Sequence, residues 1–179
     1  MQNSKTLEQL SVFESLGSAE TFVDRILQII ERISLFEDFE RADIEVLARY
    51  MNCYRAAAGR EIILEGETGD YMLLILEGSI EILKLDARGL PQSLGVSGPG
   101  KTLGEMSLID GEPRFASCVT LESSLFAVLD REALTRMLTE ESRVGVKILV
   151  ELLTLLNQRL RGLGNELMKC RDNQRLRVH

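Results

Sequence analysis

Between residues 53 and 130 no apolar run lasts more than a few residues before glycine or proline interrupts it. The runs are Glu61–Leu64, Tyr71–Glu77, Ser79–Leu85, Ser93–Val96, Cys118–Leu121 and Ser124–Leu129. The punctuation is Gly59, Gly66, Gly69, Gly78, Gly89, Pro91, Gly98, Pro99, Gly100, Gly104 and Gly111. Segments this short suit strands, whereas helices need ten or more residues to bury a face. Many short strands separated by turn residues predict a β-sandwich or barrel. Glu77-Gly78 and Ala87-Arg88-Gly89-Leu90-Pro91 read as chain reversals. No long helical pattern interrupts the region, which argues against a parallel α/β sheet.

The flanks have a different period. Residues 1–52 read as helical, with a polar and loose opening dozen. Ser18-Ala19-Glu20-Thr21 opens a segment in which Phe22, Ile26, Ile29, Ile30 and Ile33 recur at intervals of three and four. A second face follows at Ile44, Leu47, Ala48 and Met51. Asp130 is placed to cap a short helix through Leu138, and a longer helix is expected from about Glu141. On it Leu149, Leu153, Leu156, Leu160, Leu163 and Leu167 form the narrow seam of a dimerising helix, a pattern that equally suits packing on the chain's own domain. The expected fold is thus α+β: an antiparallel β-roll (a jelly-roll-like, double-stranded β-helix) flanked by N-terminal helices and a long C-terminal helix. The domain limits expected are 1–34 for a helical extension, 35–170 for the domain and 171–179 for a flexible tail.

Composition excludes several classes. The 179 residues suit one domain with attached helices. A net charge of −7 repels nucleic-acid backbones, so an anionic ligand would need a local cation. Cys53, Cys118 and Cys170 have no metal or disulfide spacing and fit a reducing, cytoplasmic setting. The start, MQNSKTLEQL, lacks a signal-peptide pattern, and no apolar stretch is long enough to span a membrane. His179 is the one histidine, which disfavours a metal-dependent enzyme on a similar roll. No nucleophile set is evident, so the chain is not expected to be an enzyme or to require a cofactor.

The segment Leu103-Gly104-Glu105-Met106-Ser107-Leu108-Ile109-Asp110-Gly111-Glu112-Pro113-Arg114-Phe115-Ala116-Ser117-Cys118-Val119 carries the chemistry. Gly104 lets the backbone approach a ligand closely. The next residues can form a helical turn whose N–H groups face an anion. Arg114 offers a planar fork to a phosphate, and Glu105 is an acceptor for sugar hydroxyls. Together they suit a sugar phosphate; alternatively, Glu105 and Arg114 pair with each other, a contact of small energy if exposed.

Gly104-Glu105-Met106-Ser107-Leu108 followed by Pro113-Arg114-Phe115-Ala116-Ser117-Cys118-Val119 resembles the phosphate-binding cassette of cyclic-nucleotide-binding domains. These occur in the catabolite-activator family, protein-kinase regulatory subunits and cyclic-nucleotide-gated channels. Leu35-Phe36 with the helix after it, Glu61–Glu67 and Met72–Ile80 extend the resemblance over about residues 35–170. Gly66, Gly69, Gly78 and Gly104 fall where family glycines make turns. The resemblance implies cAMP or cGMP as ligand, with Glu105 on the ribose 2′-OH and Arg114 on the cyclic phosphate. Gly104, Met106 and Ser107 would line the site, and amides near Phe115, Ala116 and Ser117 would donate to it.

Two departures bear on the ligand. Phe115 stands where the family has Ala, Ser or Thr, which removes a cue for cGMP; its ring is expected either in the core or crowding the ligand. The family's purine contacts fall near Leu163-Gly164, which carry no polar side chain, leaving Asn157, Gln158 and Asn165 as nearby alternatives. Nine residues follow Cys170, too few for a helix-turn-helix, so no DNA binding is expected. The function expected is a cyclic-nucleotide sensor signalling to an unidentified protein partner, with a homodimer through Leu149–Leu167 as a further possibility. The alternative is a degenerate, non-binding domain acting as an interaction scaffold.

Overall fold

The computed structural model describes residues 9–30, 36 and 38–176, with side chains to Arg171. Among the described residues nine strands form two antiparallel sheets. The first has the order β1-β2-β9-β4-β7, from Glu14–Ser18 (β1), Asn52–Ala56 (β2), Ser124–Asp130 (β9), Tyr71–Glu77 (β4) and Thr102–Leu103 (β7). The second has the order β3-β8-β5-β6, from Glu61–Ile63 (β3), Ser117–Thr120 (β8), Ile80–Leu85 (β5) and Pro91–Ser97 (β6). Helices α1 (Val23–Ile30), α2 (Arg41–Arg49), α4 (Arg131–Glu140) and α5 (Ser142–Leu176) flank this β-roll, and α3 (Glu105–Asp110) is part of it.

The two central strands explain the continuous apolar runs. On β4, Tyr71, Leu73 and Ile75 point between the sheets, while Met72, Leu74 and Leu76 point to the helices. On β9, Phe126 and Val128 face inward and Leu125, Ala127 and Leu129 face the helices. A strand covered on both faces has no polar side to alternate with. Phe126 centres the inner core, edge-on to Phe13 at 5.9 Å and stacked with Tyr54 at 6.3 Å. The outer core joins the first sheet to Ile26, Ile44, Leu47, Met137, Ile148 and Leu152.

The N-terminal region departs from the expected all-helical reading. Glu14–Ser18 forms an edge strand on β2, with a bulge between Ser15 and Gly17. A polar, glycine-containing segment can serve there because an edge strand needs only one set of partners. The opening dozen is also not wholly loose, since Leu10 is buried in the inner core. The expected helix is realised as a 3-10 turn, Ala19–Phe22, capped by Ser18 Oγ, and then α1. Ile33, Leu35 and residues 31–34 lie outside the described residues, as do 1–8 and 177–179.

Helix α5 is anchored at its start by charge. Asp43 on α2 is fully buried. Its Oδ1 accepts from Arg143, and its Oδ2 accepts from Lys147 Nζ at 2.6 Å and from the Glu40 N–H at 3.1 Å. Lys147 also donates to Asp38 O at 2.7 Å. Burial pushes the Asp43 carboxyl up, but Lys147, the Glu40 amide and Arg143 outweigh it and hold the group below the ordinary aspartate value. A depressed folded value means stability that is present above about pH 4 and lost as pH falls through the folded value. Asp43→Asn is expected to cost about 3 kcal/mol at neutral pH, the low end for a buried ion pair because Arg143 reaches solvent. Melting temperatures of both proteins between pH 6 and pH 2 check this: the gap should close with acid. A constant gap would show that the charge contributes nothing.

The leucine seam divides. Ile148 and Leu152 are buried and Leu149 packs on the domain's own core. Leu153, Leu160, Leu163 and Leu167 are exposed. The helix continues to Leu176, into the stretch expected as a tail. Among the described residues no helix is long and apolar enough to cross a membrane.

Candidate functional site

Arg114 is held by backbone on both sides. Its N–H donates to Glu67 O at 2.8 Å, and its carbonyl accepts from the Gly66 N–H at 2.9 Å. The side chain, 4% exposed, turns inward. Nη1 donates to Gly104 O at 2.8 Å, and the guanidinium lies 4.3 Å over the Tyr71 ring. Tyr71 is itself fixed by donating to Ile62 O at 3.0 Å. Two glycines make room for the guanidinium. A Cβ on Gly69 would sit 2.5 Å from Arg114 Nε, and one on Gly104 would sit 2.6 Å from Nη1 and 2.9 Å from Tyr71 O. Gly104 also has φ +84°, where an L side chain is strained. Burial lowers the Arg114 pKa and the Tyr71 side chain opposes that shift; arginine stays charged regardless. Nη2 has no hydrogen-bond partner.

Glu105 is the first residue of α3 and is fully buried. It does not pair with Arg114. Its Oε1 accepts from Arg159 Nη1 of α5, whose Nη2 donates to Thr102 O at 2.8 Å. Its Oε2 has no partner. The far end of α3 is closed by Gly111, φ +77°, whose N–H donates to Ser107 O at 3.0 Å. Arg131 donates to the same carbonyl at 2.6 Å. The cassette is therefore fixed at both ends before any ligand arrives.

Between the roll and α5 lies a pocket of about 90 Å³, with apolar walls from Ile63, Ile82 and Leu103. Of the sequence candidates, Gly104, Glu105, Met106, Ser107, Arg114, Phe115 and Ala116 line it. Ser117 does not; its Oγ accepts from the Glu65 N–H at 3.0 Å and so supports the loop behind the site. Phe115 is not core: the residue lines the pocket yet is 53% exposed, with Lys84 Nζ 4.8 Å from its ring centroid. None of the residues expected near the purine lines the pocket. Asn157, Gln158, Leu163, Gly164 and Asn165 are all exposed on α5, and Asn157 donates to Leu153 O of its own helix. Arg159, which does line the pocket, is not among the residues the sequence singles out. Its one signal was being a basic residue on the long helix; nothing local ties it to a carboxylate 54 positions earlier.

A cationic and an anionic residue, each with one buried unmet atom, thus line a mostly apolar pocket. That pairing suits a ligand carrying both an anionic oxygen and a hydroxyl. Among the described residues no group of three or more His, Cys, Asp or Glu could hold a metal ion.

Residues 54–141 match the model of the cyclic nucleotide-binding domain. A crystal structure of a cyclic nucleotide-binding domain from Methylobacillus flagellatus superposes with a TM-score of 0.79 at 39% identity, covering 87% of this chain and 88% of that one. The catabolite activator protein of Thermus thermophilus superposes with a TM-score of 0.67 at 27% identity, over 74% of this chain and 61% of that one. A CRP-like cAMP-activated global transcriptional regulator of Mycobacterium tuberculosis is 28% identical over 140 residues, 78% of this chain. The chain spans 61% of that curated relative's length.

Proposed function

Because this chain belongs to the cyclic nucleotide-binding domain family, we propose that it senses cAMP or cGMP and passes occupancy to a protein partner through α5. The observation that supports this best is that Arg114 and Glu105, which line one pocket, each carry a buried polar atom without a partner, Nη2 and Oε2. A cyclic phosphate oxygen would take the first and the ribose 2′-OH would donate to the second. Each charge-assisted bond formed in so desolvated a place contributes about 1.5–3 kcal/mol. Gly104, Met106, Ser107 and Ala116 would form the wall around the sugar phosphate. Phe115, with its exposed ring at the edge, would lie beside the base as a stacking surface rather than obstruct the phosphate.

Calorimetric titration tests the reading. Either cAMP or cGMP should bind with one site per chain and micromolar or tighter affinity. No heat with either nucleotide at millimolar concentration would sink it and favour the scaffold alternative.

A further inference from the structure

Arg114 stands between two cavities. One is the ligand pocket, to which none of residues 9–18 contributes. The other, of about 170 Å³, is lined by Gln9 and Phe13 together with Ile62, Glu67, Tyr71 and Arg114 itself. Gln9 Nε2 donates to Glu67 Oε2 at 3.1 Å and to Thr68 O at 3.3 Å. Leu10, 3% exposed, belongs to the inner core. The Phe13 N–H donates to Leu10 O at 3.1 Å, a turn that leads into β1. We propose that residues 9–13 are a strap that positions Arg114, with Gln9 and Leu10 as its positioning residues, so that docking of the strap and binding of nucleotide strengthen each other. This rests on the cyclic-nucleotide reading and adds a control on affinity from outside the matched residues 54–141.

Strap and arginine meet at the loop 64–70. It joins β3 to β4 and belongs to neither sheet. The loop holds Arg114 by its backbone: Glu67 O accepts the Arg114 N–H, and the Gly66 N–H donates to the Arg114 carbonyl. Gly69 leaves the space that the guanidinium fills. Gln9 ties the same loop through Glu67 and Thr68. A loop without ladder partners opens at low cost unless something fastens it. Every tie made before ligand arrives lowers the ordering cost that binding must meet. An exposed hydrogen bond contributes little by itself; burial of Leu10 is what keeps Gln9 beside the loop. Linkage makes the effect mutual: whatever the docked strap adds to ligand affinity, ligand adds to docking of the strap.

Calorimetry with cAMP and cGMP, paired with hydrogen exchange read by NMR, tests the strap. Per folded molecule, Gln9→Ala should weaken the tighter-binding nucleotide about threefold, the size of one exposed hydrogen bond. Leu10→Ala should weaken it about fivefold or more. Without ligand, both variants should exchange faster at the Gly66 and Arg114 amides. Saturating nucleotide should slow exchange at residues 10–18 of the unaltered protein, by up to the factor that Leu10→Ala costs in affinity. Gln9→Ala and Glu67→Ala should be non-additive in affinity, as partners in one contact; Glu67 does not line the ligand pocket. Two controls should keep the unaltered affinity: Val12→Ala, at a side chain 76% exposed on the strap, and Gly78→Ala, which strains the roll against Ser124. Leu10→Ala binding within about twofold of the unaltered protein, or losing no more than Gly78→Ala, would overturn the proposal. So would nucleotide that leaves exchange at residues 10–18 unchanged, or additive losses at Gln9 and Glu67. If Leu10→Ala does not fold, Gln9→Ala decides, and unchanged affinity with unchanged exchange at Arg114 overturns the strap. Faster exchange at Arg114 in Gln9→Ala of a protein that binds neither nucleotide would instead overturn the cyclic-nucleotide reading, and leave the strap as a structural clamp alone.

Discussion

Arg114→Leu is expected to lower cyclic-nucleotide affinity about ten- to a hundredfold while leaving the β-roll folded. The guanidinium is already dehydrated before ligand binds: it is 4% exposed, lies over Tyr71 and spends one nitrogen on Gly104 O. The cost of burying it has been met during folding, so a phosphate gains nearly the full strength of its contact. One such bond from Nη2, at the upper end of about 1.5–3 kcal/mol, reaches the ~2.7 kcal/mol that corresponds to a hundredfold. Leucine fills part of the space and leaves no buried charge behind, so the melting temperature should move by only a few degrees. Calorimetry paired with a thermal melt separates the two effects. Affinity retained within threefold would mean that the phosphate lies elsewhere.

Gly78→Ala is expected to do the reverse, lowering stability by about 2–5 kcal/mol with affinity per folded molecule unchanged. Gly78 joins β4 to β5 with φ +87°, and a Cβ there would sit 2.8 Å from Ser124 Cα, which is backbone and cannot swing away. The left-handed conformation costs an L side chain about 1–2 kcal/mol, and forced overpacking adds roughly 1–3 kcal/mol. For a chain of this size that is a loss of about 10 °C in melting temperature. Gly89 is the control. Its φ is +76° with nothing within 4 Å of a Cβ, so Gly89→Ala should carry the backbone cost alone. Equal losses for the two variants would show that the contact with Ser124 is not what makes Gly78 necessary.

How much was legible follows from where the information sits. Strands β4 and β9 were readable because burial on both faces demands an unbroken apolar run, and glycine marks both ends of β4. The cassette was readable because its constraint is local: Gly104, Glu105 and Arg114 fall within one short loop and helix, and the space each needs is set by the others. Strand β1 was not. Glu14-Ser15-Leu16-Gly17-Ser18 has no strand pattern of its own and is a strand because β2 presents an edge to it. Strand β2, Asn52–Ala56, and the two-residue β7 are likewise defined by their partners. The ligation of Glu105 by Arg159 was invisible for a related reason: an arginine on an amphipathic helix reads as a solvated charge until the helix's direction across the roll is known.

Asp43 and Arg159 hold α5 at two points, and the spacing has a mechanical result. At about 1.5 Å per residue, Arg159 lies ~18 Å beyond Lys147, the second residue of the Asp43 anchor, and Leu176 lies ~44 Å beyond it. A helix pivoting at Asp43 would act as a lever. A tilt that moves Arg159 by about 1 Å carries the far end about 2.4 Å, so a displacement smaller than a bond length at the carboxylate leaves the domain as one larger than it.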